Sequence, residues 1–169
     1  YGVPVYTPPR GTSASVGAAE LQVLGPVDHL AFGQDESSMQ NDSSLVIMVR
    51  IAGLRLLLTG DVEPPGQQAI LDSGVDLQAD VLKIPHHGSS HQDPAFLNAV
   101  HAEIAIASVG AGNDYGHPAP STMSALARLG DRTYRTDRDG DIAVTRTASG
   151  LAVVTRRAHT TIAGARTSH

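Results

Sequence analysis

The sequence has no cysteine and no tryptophan, and Lys83 is its one lysine. Without thiols, a disulfide scaffold and a zinc site built on thiolates are both excluded, so any metal must be held by His, Asp or Glu. No apolar run approaches the about 20 residues of a membrane-spanning helix. An initiator methionine and a signal peptide are also missing. Tyr1 opens in mid-pattern, with Val3-Pro4-Val5 already strand-like, so the sequence reads as a segment of a longer protein. Hydrophobic residues make up 41% of the 169 positions, which excludes an acidic disordered chain. A chain of this length suits one domain that buries on the order of 70% of its unfolded surface.

The net charge of −5 is unevenly spread. Residues 1–127 carry 4 basic and 13 acidic side chains, and residues 128–169 carry 8 and 4. Such asymmetry reads either as a solvated surface or as an end that faces an anion.

Along the chain, residues 1–19 read as a short edge strand plus turns, and Glu20–Leu24 as a strand with one wet face. Residues 25–44 read as a long polar connection containing Gln34-Asp-Glu-Ser-Ser38 and Asn41-Asp-Ser-Ser44. Leu45–Ile51 and Leu54–Thr59, separated by Ala52-Gly53, form a hairpin signal whose strands read as buried on both faces. Val81–Ile84 and Ile104–Ser108 are short buried strands, and Thr133–Arg135 begins a third. Between them Asp93 caps a helix that starts at Pro94 and runs to about His101. A second helix fits between Ser121 as cap and Gly130 as stop, with Met123, Leu126 and Leu129 on one stripe. These three strands are expected to be parallel, with hairpins extending the sheet on either side. The last hairpin pairs Asp141–Arg146 with Leu151–Arg156. Residues 157–169 lack periodicity and read as a frayed tail. The fold class is therefore α/β with a mixed sheet, in one domain over residues 1–156.

Four strands deliver polar residues just past their carboxyl ends, the edge at which open α/β sheets bind ligands. They lead into Thr59-Gly60-Asp61, Pro85-His86-His87-Gly88-Ser89, Gly110 to His117-Pro118, and Thr136-Asp137-Arg138-Asp139-Gly140. Asp61 reads either as the cap of a helix near Pro64 or as a carboxylate able to bridge two cations. Two adjacent histidines point to different sides, so at most one of His86 and His87 faces a given metal. Gly88 and Ser89 leave backbone room and a donor for an anion. His117 in its Gly-His-Pro turn either closes the loop or serves the site. Asp137 and Asp139 read as a turn before the last hairpin. Lys83 is expected to expose its ammonium.

Taken together, Leu58-Thr-Gly-Asp-Val62, Asp80-Val-Leu-Lys-Ile-Pro-His-His-Gly-Ser89, Ser108-Val-Gly-Ala-Gly-Asn-Asp-Tyr-Gly-His-Pro118 and Tyr134-Arg-Thr-Asp137 resemble the metallo-β-lactamase-like domain of the ComEC family, the competence proteins of bacterial DNA uptake. Asn41-Asp-Ser-Ser-Leu45 matches the segment that opens the strand before Thr-Gly-Asp. The resemblance covers roughly residues 15–156. The family's opening Asp-Val-Gly-Gln-Gly-Asp segment and its His-x-Asp-x-Asp-His-like motif have no counterpart here. The resemblance therefore implies the C-terminal half of an αββα sandwich, with the N-terminal half absent from this chain.

What the resemblance implies is a two-metal phosphodiesterase, with two zinc or manganese ions in the complete domain, that degrades the DNA strand not transported. Asp61 would bridge the cations and His86, first after its strand, would ligate one of them. His87 and His117 would hold phosphate oxygens or protonate the leaving alkoxide, and Asn41, Ser44 and Ser89 would make phosphate contacts. The expected partners are single-stranded DNA, the rest of a parent membrane channel protein and, for this chain alone, a second copy. The expected location is a soluble, extracytoplasmic domain of a bacterial plasma-membrane protein. Alternatives are a hydrolase of the same fold acting on a phosphocholine ester or lactone, and a non-catalytic domain that binds DNA or a partner.

Overall fold

A computed structural model describes residue 2, residues 6–27 and residues 36–156 of the chain. The strand-like Val3-Pro4-Val5, residues 28–35 of the polar connection and the tail from residue 157 lie outside the described residues. The fold is built on a seven-stranded mixed sheet. Its first half is an antiparallel meander of β1 (Ser13–Val16), β2 (Ala19–Gly25), β3 (Val46–Ile51) and β4 (Leu54–Leu58). Ala52 and Gly53 close the β3–β4 hairpin with φ of 49° and 74°. Positive φ at both loop residues is the twist-matched hairpin turn. The second half is parallel, with β4 followed by β5 (Val81–Lys83), β6 (Ile104–Ala107) and β7 (Arg132–Arg135). Four strands thus run parallel, one more than the sequence suggests.

The connections put helices α2 (Pro64–Asp72), α3 (Pro94–Val100) and α4 (Pro120–Leu129) on one face. The main core lies there: Met48, Leu57, Leu82, Ile84 and Ala105 from the strands meet Ile70, Phe96, Val100 and Leu126 from the helices. Asp93 caps α3 as expected, accepting from the Ala95 amide at 2.8 Å. Gly130 ends α4 in the left-handed region, where glycine carries no Cβ penalty. The α4 cap position falls on Ala119 rather than Ser121, and Leu129 is exposed, so the apolar stripe is carried by Leu126 and Met123.

The final hairpin, β8 (Asp141–Thr147) and β9 (Gly150–Arg156), does not extend the sheet as expected. It is a separate two-stranded sheet that crosses the second face. There Val144, Leu151 and Val153 pack on Leu54, Leu56, Val81, Ile104, Ile106 and Tyr134. Arg146 fastens it, donating to the Gly53 carbonyl at 2.8 Å and to Asp80 at 2.7 Å, while Arg132 donates to the Leu151 carbonyl. The β3–β4 hairpin is not buried on both faces. Met48 and Leu57 are fully buried, whereas Ile51 and Leu58 are 38% and 40% exposed, because the crossing hairpin covers only part of the second face.

The polar connection also differs from expectation. Residues Glu36–Asp42 form helix α1. Its Ser, Asn and Asp content hides it from propensity, and packing against α2 overrides that weak preference. The buried Asp42 carboxylate accepts from the Glu63 and Gly66 amides at 3.3 and 3.1 Å. Asp42, not Asp61, therefore caps α2, and it does so from a different helix.

Asp131 follows α4 and is 8% exposed. Burial raises its carboxyl from 3.8 to about 6, with His101 opposing. The ionised form is thus disfavoured in the folded protein. The penalty is fully present above about pH 6 and vanishes as the pH falls below the unfolded value near 4. Asp131→Asn is expected to raise stability by on the order of 1 kcal/mol near pH 8 and by nothing measurable below about pH 4. Denaturant midpoints of both proteins across this range check it; a pH-independent difference would assign the effect to something other than the charge.

Candidate active site

Each of the four parallel strands ends at one edge, and the turns beyond them are tied together through backbone groups. After β4, the buried Thr59 donates its hydroxyl to the Lys83 carbonyl at 2.7 Å. Gly60 has φ +55°, and a Cβ there would lie 2.8 Å from the Ser44 Cβ, so the turn is open to glycine alone. The next residue, Asp61, has its amide bonded to the Ser44 hydroxyl at 3.1 Å, which leaves the carboxylate half exposed at the edge.

Lys83 does not expose its ammonium. Its side chain is 22% exposed, and Nζ donates to the Gly60 carbonyl at 2.9 Å and the Ile84 carbonyl at 3.3 Å, with Asp61 Oδ1 3.6 Å away. Desolvation pulls its pKa below the ordinary lysine value, and Asp61 opposes that.

After β5 the chain turns through Pro85–Gly88. His86 and His87 take φ of 44° and 53°, a left-handed conformation that L-residues with a side chain rarely occupy. Such strain persists only where the surroundings over-determine it. Here the His86 amide donates to the Gly60 carbonyl at 3.2 Å, and the His86 carbonyl accepts from Ser89 at 2.8 Å. The tight turn sends the two rings apart. His86 Nδ1 is buried 3.2 Å from Glu63 Oε1, without the alignment of a hydrogen bond. His87 Nδ1 lies 2.6 Å from the Ser108 carbonyl. A carbonyl only accepts, so Nδ1 carries a proton, and Nε2 faces Asp61 Oδ1 at 3.5 Å.

After β6 the glycine-rich loop returns His117 to the same place. Asn113 braces it in both directions: its amide donates to the His117 carbonyl at 3.0 Å, and its oxygen accepts from the His117 amide at 3.1 Å. The His117 ring stands 5.5 Å from that of His86. Burial, then the neighbouring His86 and His87, push its pKa below the ordinary histidine value, which keeps it neutral near pH 7. Tyr115 stacks on its other side.

The structure thus brings Asp61, His86, His87 and His117 to one edge, as the sequence suggests, but with a different pairing. Asp61 meets His87, and His86 meets Glu63. Asn41 and Ser44 reach the same edge as supports: Asn41 donates to Glu63 Oε1 at 2.8 Å, and Ser44 holds the Asp61 amide. Ser89 is 3% exposed and its hydroxyl accepts from the His91 amide, so it stabilises the turn. Asp137 forms a two-pronged ion pair with Arg135, and Asp139 accepts from the Arg135 amide. Glu63, Lys83 and Asn113 are the participants that sequence reasoning left out. Lys83 carried one signal, as a lone lysine in a buried strand.

A metal was tested against this donor set. Asp61 Oδ1 and His87 Nε2 face each other, and the Nδ1–H of His87 is held by a carbonyl, the support that metal-bound imidazoles have. Among the described residues, however, no group of three His, Cys, Asp or Glu is placed to hold an ion. A catalytic zinc has three protein ligands. The described residues alone therefore do not make a metal site.

Gly88 sits between the His-His turn and the His117 loop, with φ +83°; a Cβ there would lie 2.6 Å from Pro118 Cβ and 3.2 Å from its Cα. Gly88→Ala is expected to cost about 2 kcal/mol of stability and to separate the two histidine turns. Thermal melts, together with a shift of the His117 imidazole resonances, check it; an unchanged His117 signal would count against the packing described.

The fold and the edge define an α/β domain with a ligand site beyond the carboxyl ends of its parallel strands. Comparison with known proteins sharpens this. The chain is 32% identical over 142 residues to ComE operon protein 3 of Bacillus subtilis (strain 168), across 83% of the chain and 18% of that protein. It is 37% identical over 102 residues to competence protein ComA of Neisseria gonorrhoeae, across 59% of the chain and 15% of that protein. It is 28% identical over 126 residues to YcaI of Escherichia coli (strain K12). The chain is a ComEC-like domain, homologous to one segment of these competence proteins, and spans under a fifth of the length of the relatives it matches. No protein-family model matches it. Among solved structures, a proposed Zn-dependent hydrolase of the metallo-β-lactamase superfamily from Thermotoga maritima overlaps with a TM-score of 0.41 at 14% identity, over 73% of this chain and 58% of that one.

Proposed function

We propose that this domain contributes half of a phosphodiesterase site to a competence protein, where it acts on the single strand of DNA that is not taken up. The observation that carries the reading is the pair Asp61 and His87: a carboxylate facing Nε2 of an imidazole that is oriented by the bond from its Nδ1–H to the Ser108 carbonyl. In the complete site these two are the donors this chain would offer to a divalent cation, and the further ligands come from outside the described residues.

What the chain's own residues do follows from their bonds. Gly60 and Lys83 hold the Asp61 carboxylate at the edge. His87 Nε2 can accept a proton or a ligand. His117, neutral and anchored by Asn113, is positioned to donate its ring N–H to a phosphate oxygen; it could pass a proton to a leaving oxygen only after taking one up. Among the described residues no helix is long and apolar enough to cross a membrane. We place the domain beside a membrane channel on the extracytoplasmic side.

The test uses a full-length protein that carries this segment. Asp61→Ala and His87→Ala are each expected to abolish hydrolysis of single-stranded DNA together with metal binding, and His117→Ala to slow it by roughly 10²–10⁴-fold. The isolated chain is expected to bind Mn²⁺ weakly by calorimetry and to cleave nothing. Cleavage of lactone or phosphocholine esters in place of DNA would replace the phosphodiester substrate. Strand binding by the unsubstituted full-length protein with no cleavage when Mn²⁺ is supplied would make the domain a binding module.

A further inference from the structure

Six aromatic residues are present in the whole chain, as four tyrosines and two phenylalanines. Tyr115 is one of them, and it is 85% exposed at the tip of the glycine-rich loop. An exposed ring is ordinary by itself. This one is not loose, because it lies against His117 with centroids 6.1 Å apart and planes 18° from parallel. The loop beneath it is braced by Asn113, which bonds Gly110 and both backbone groups of His117. One side of the Tyr115–His117 stack borders a cleft of about 470 Å³ that reaches Val109 and His87. That volume is in the range of small-ligand pockets.

We infer that Tyr115 is a nucleobase-stacking residue, which seats the base beside the phosphodiester handled by His87 and His117. The inference rests on the phosphodiester reading above and adds what the substrate must carry. A flat, exposed ring parallel to the imidazole of the site offers a π-face one step from the reacting edge. Of the polar groups near it, the Asn113 amide is used by its own loop and the Ser108 carbonyl accepts from His87. The ring itself presents a π-face, which takes a planar base by its face and not by its hydrogen-bonding edge. Recognition of that kind tolerates any sequence, because every base has a π-face. A protein that degrades whatever strand arrives needs this and nothing finer.

Two strands of equal length separate the possibilities, an oligothymidylate and its abasic counterpart with the same phosphates and no bases. Fluorescence anisotropy of labelled strands gives affinities for the chain. The native chain is expected to bind the base-bearing strand about tenfold more tightly than the abasic one. Tyr115→Ala is expected to lose that difference by weakening on the base-bearing strand alone, and Tyr115→Phe to keep it. Because the chain has no tryptophan, Tyr115→Trp introduces a single indole, whose emission the base-bearing strand should quench and the abasic strand should not. Equal binding of both strands by the native chain, or full discrimination retained in Tyr115→Ala, overturns the inference and leaves the phosphodiester reading intact. Binding of neither strand also overturns the inference, while the phosphodiester reading stands or falls by cleavage in the full-length protein. Self-association that disappears in Tyr115→Ala would assign the ring to a contact between copies and overturn the stacking role.

Discussion

The backbone carbonyl of Gly60 accepts from the Lys83 ammonium at 2.9 Å and from the His86 amide at 3.2 Å. One oxygen thus joins the turn after β4 to the strand and the turn of β5. Each partner depends on it. Lys83 is pulled out of water by burial and needs acceptors for its protons. His86 and His87 need an external hold to stay in the left-handed region. The carbonyl can serve both because Gly60 itself is left-handed and lacks the Cβ that would strike Ser44. Asp61 then has little freedom, with Ser44 fixing its amide and Lys83 beside its carboxylate. The directions of the carboxylate and of both imidazoles follow from a constraint that involves no catalytic side chain.

The two ends of the parallel strands are used differently. At the amino end, Asp80 accepts from the Arg55 amide and from Arg146, and Arg132 joins Glu103 to the last hairpin. These groups are mutually satisfied and fasten β8–β9 across the second face. At the carboxyl end Arg135 and Asp137 form one further ion pair, but Asp61 and His87 are oriented mainly through backbone and hydroxyl groups, and Asp61 Oδ1 and His87 Nε2 keep capacity for a further partner. That capacity lies at the end where open α/β sheets place their ligands.

The sequence made the strands legible wherever an apolar run met a turn of defined chemistry. Ala52-Gly53 fixed one hairpin, Asp93-Pro94 one helix start and Gly130 one helix stop, and each is local. What could not be read is long-range. Helix α1 is written in residues that favour caps and turns, and it forms because it packs on α2 and lends Asp42 as a cap. The final hairpin had the right length and register, but whether it joins the sheet edge or crosses its face depends on Arg146 finding Asp80, 66 positions away. In the site, four turns were visible as polar punctuation at strand ends. Which histidine would meet Asp61 was not, because strand order implies a direction that the left-handed turn reverses. Lys83 reads as solvent-exposed because an ammonium in a buried strand ordinarily escapes to water, but its length lets it reach the Gly60 and Ile84 carbonyls at the edge instead.

The basic surplus near the C-terminus invites the idea of an anion-binding end, but three of its eight basic side chains are committed to carboxylates. Arg132 pairs with Glu103, Arg135 with Asp137 and Arg146 with Asp80, all at 2.6–2.7 Å. Arg55, earlier in the chain, pairs with Asp76. Guanidinium groups committed to carboxylates release few counter-ions when a polyanion arrives, and it is that release which dominates ordinary affinity for DNA. The one lysine is likewise committed to two carbonyls. These paired groups therefore offer little free positive charge to a polyanion. The edge that carries Asp61 presents instead an exposed ring stacked on the His117 imidazole. If Tyr115 has the stacking role proposed for it, shape and stacking at that edge would supply part of what a basic surface supplies elsewhere.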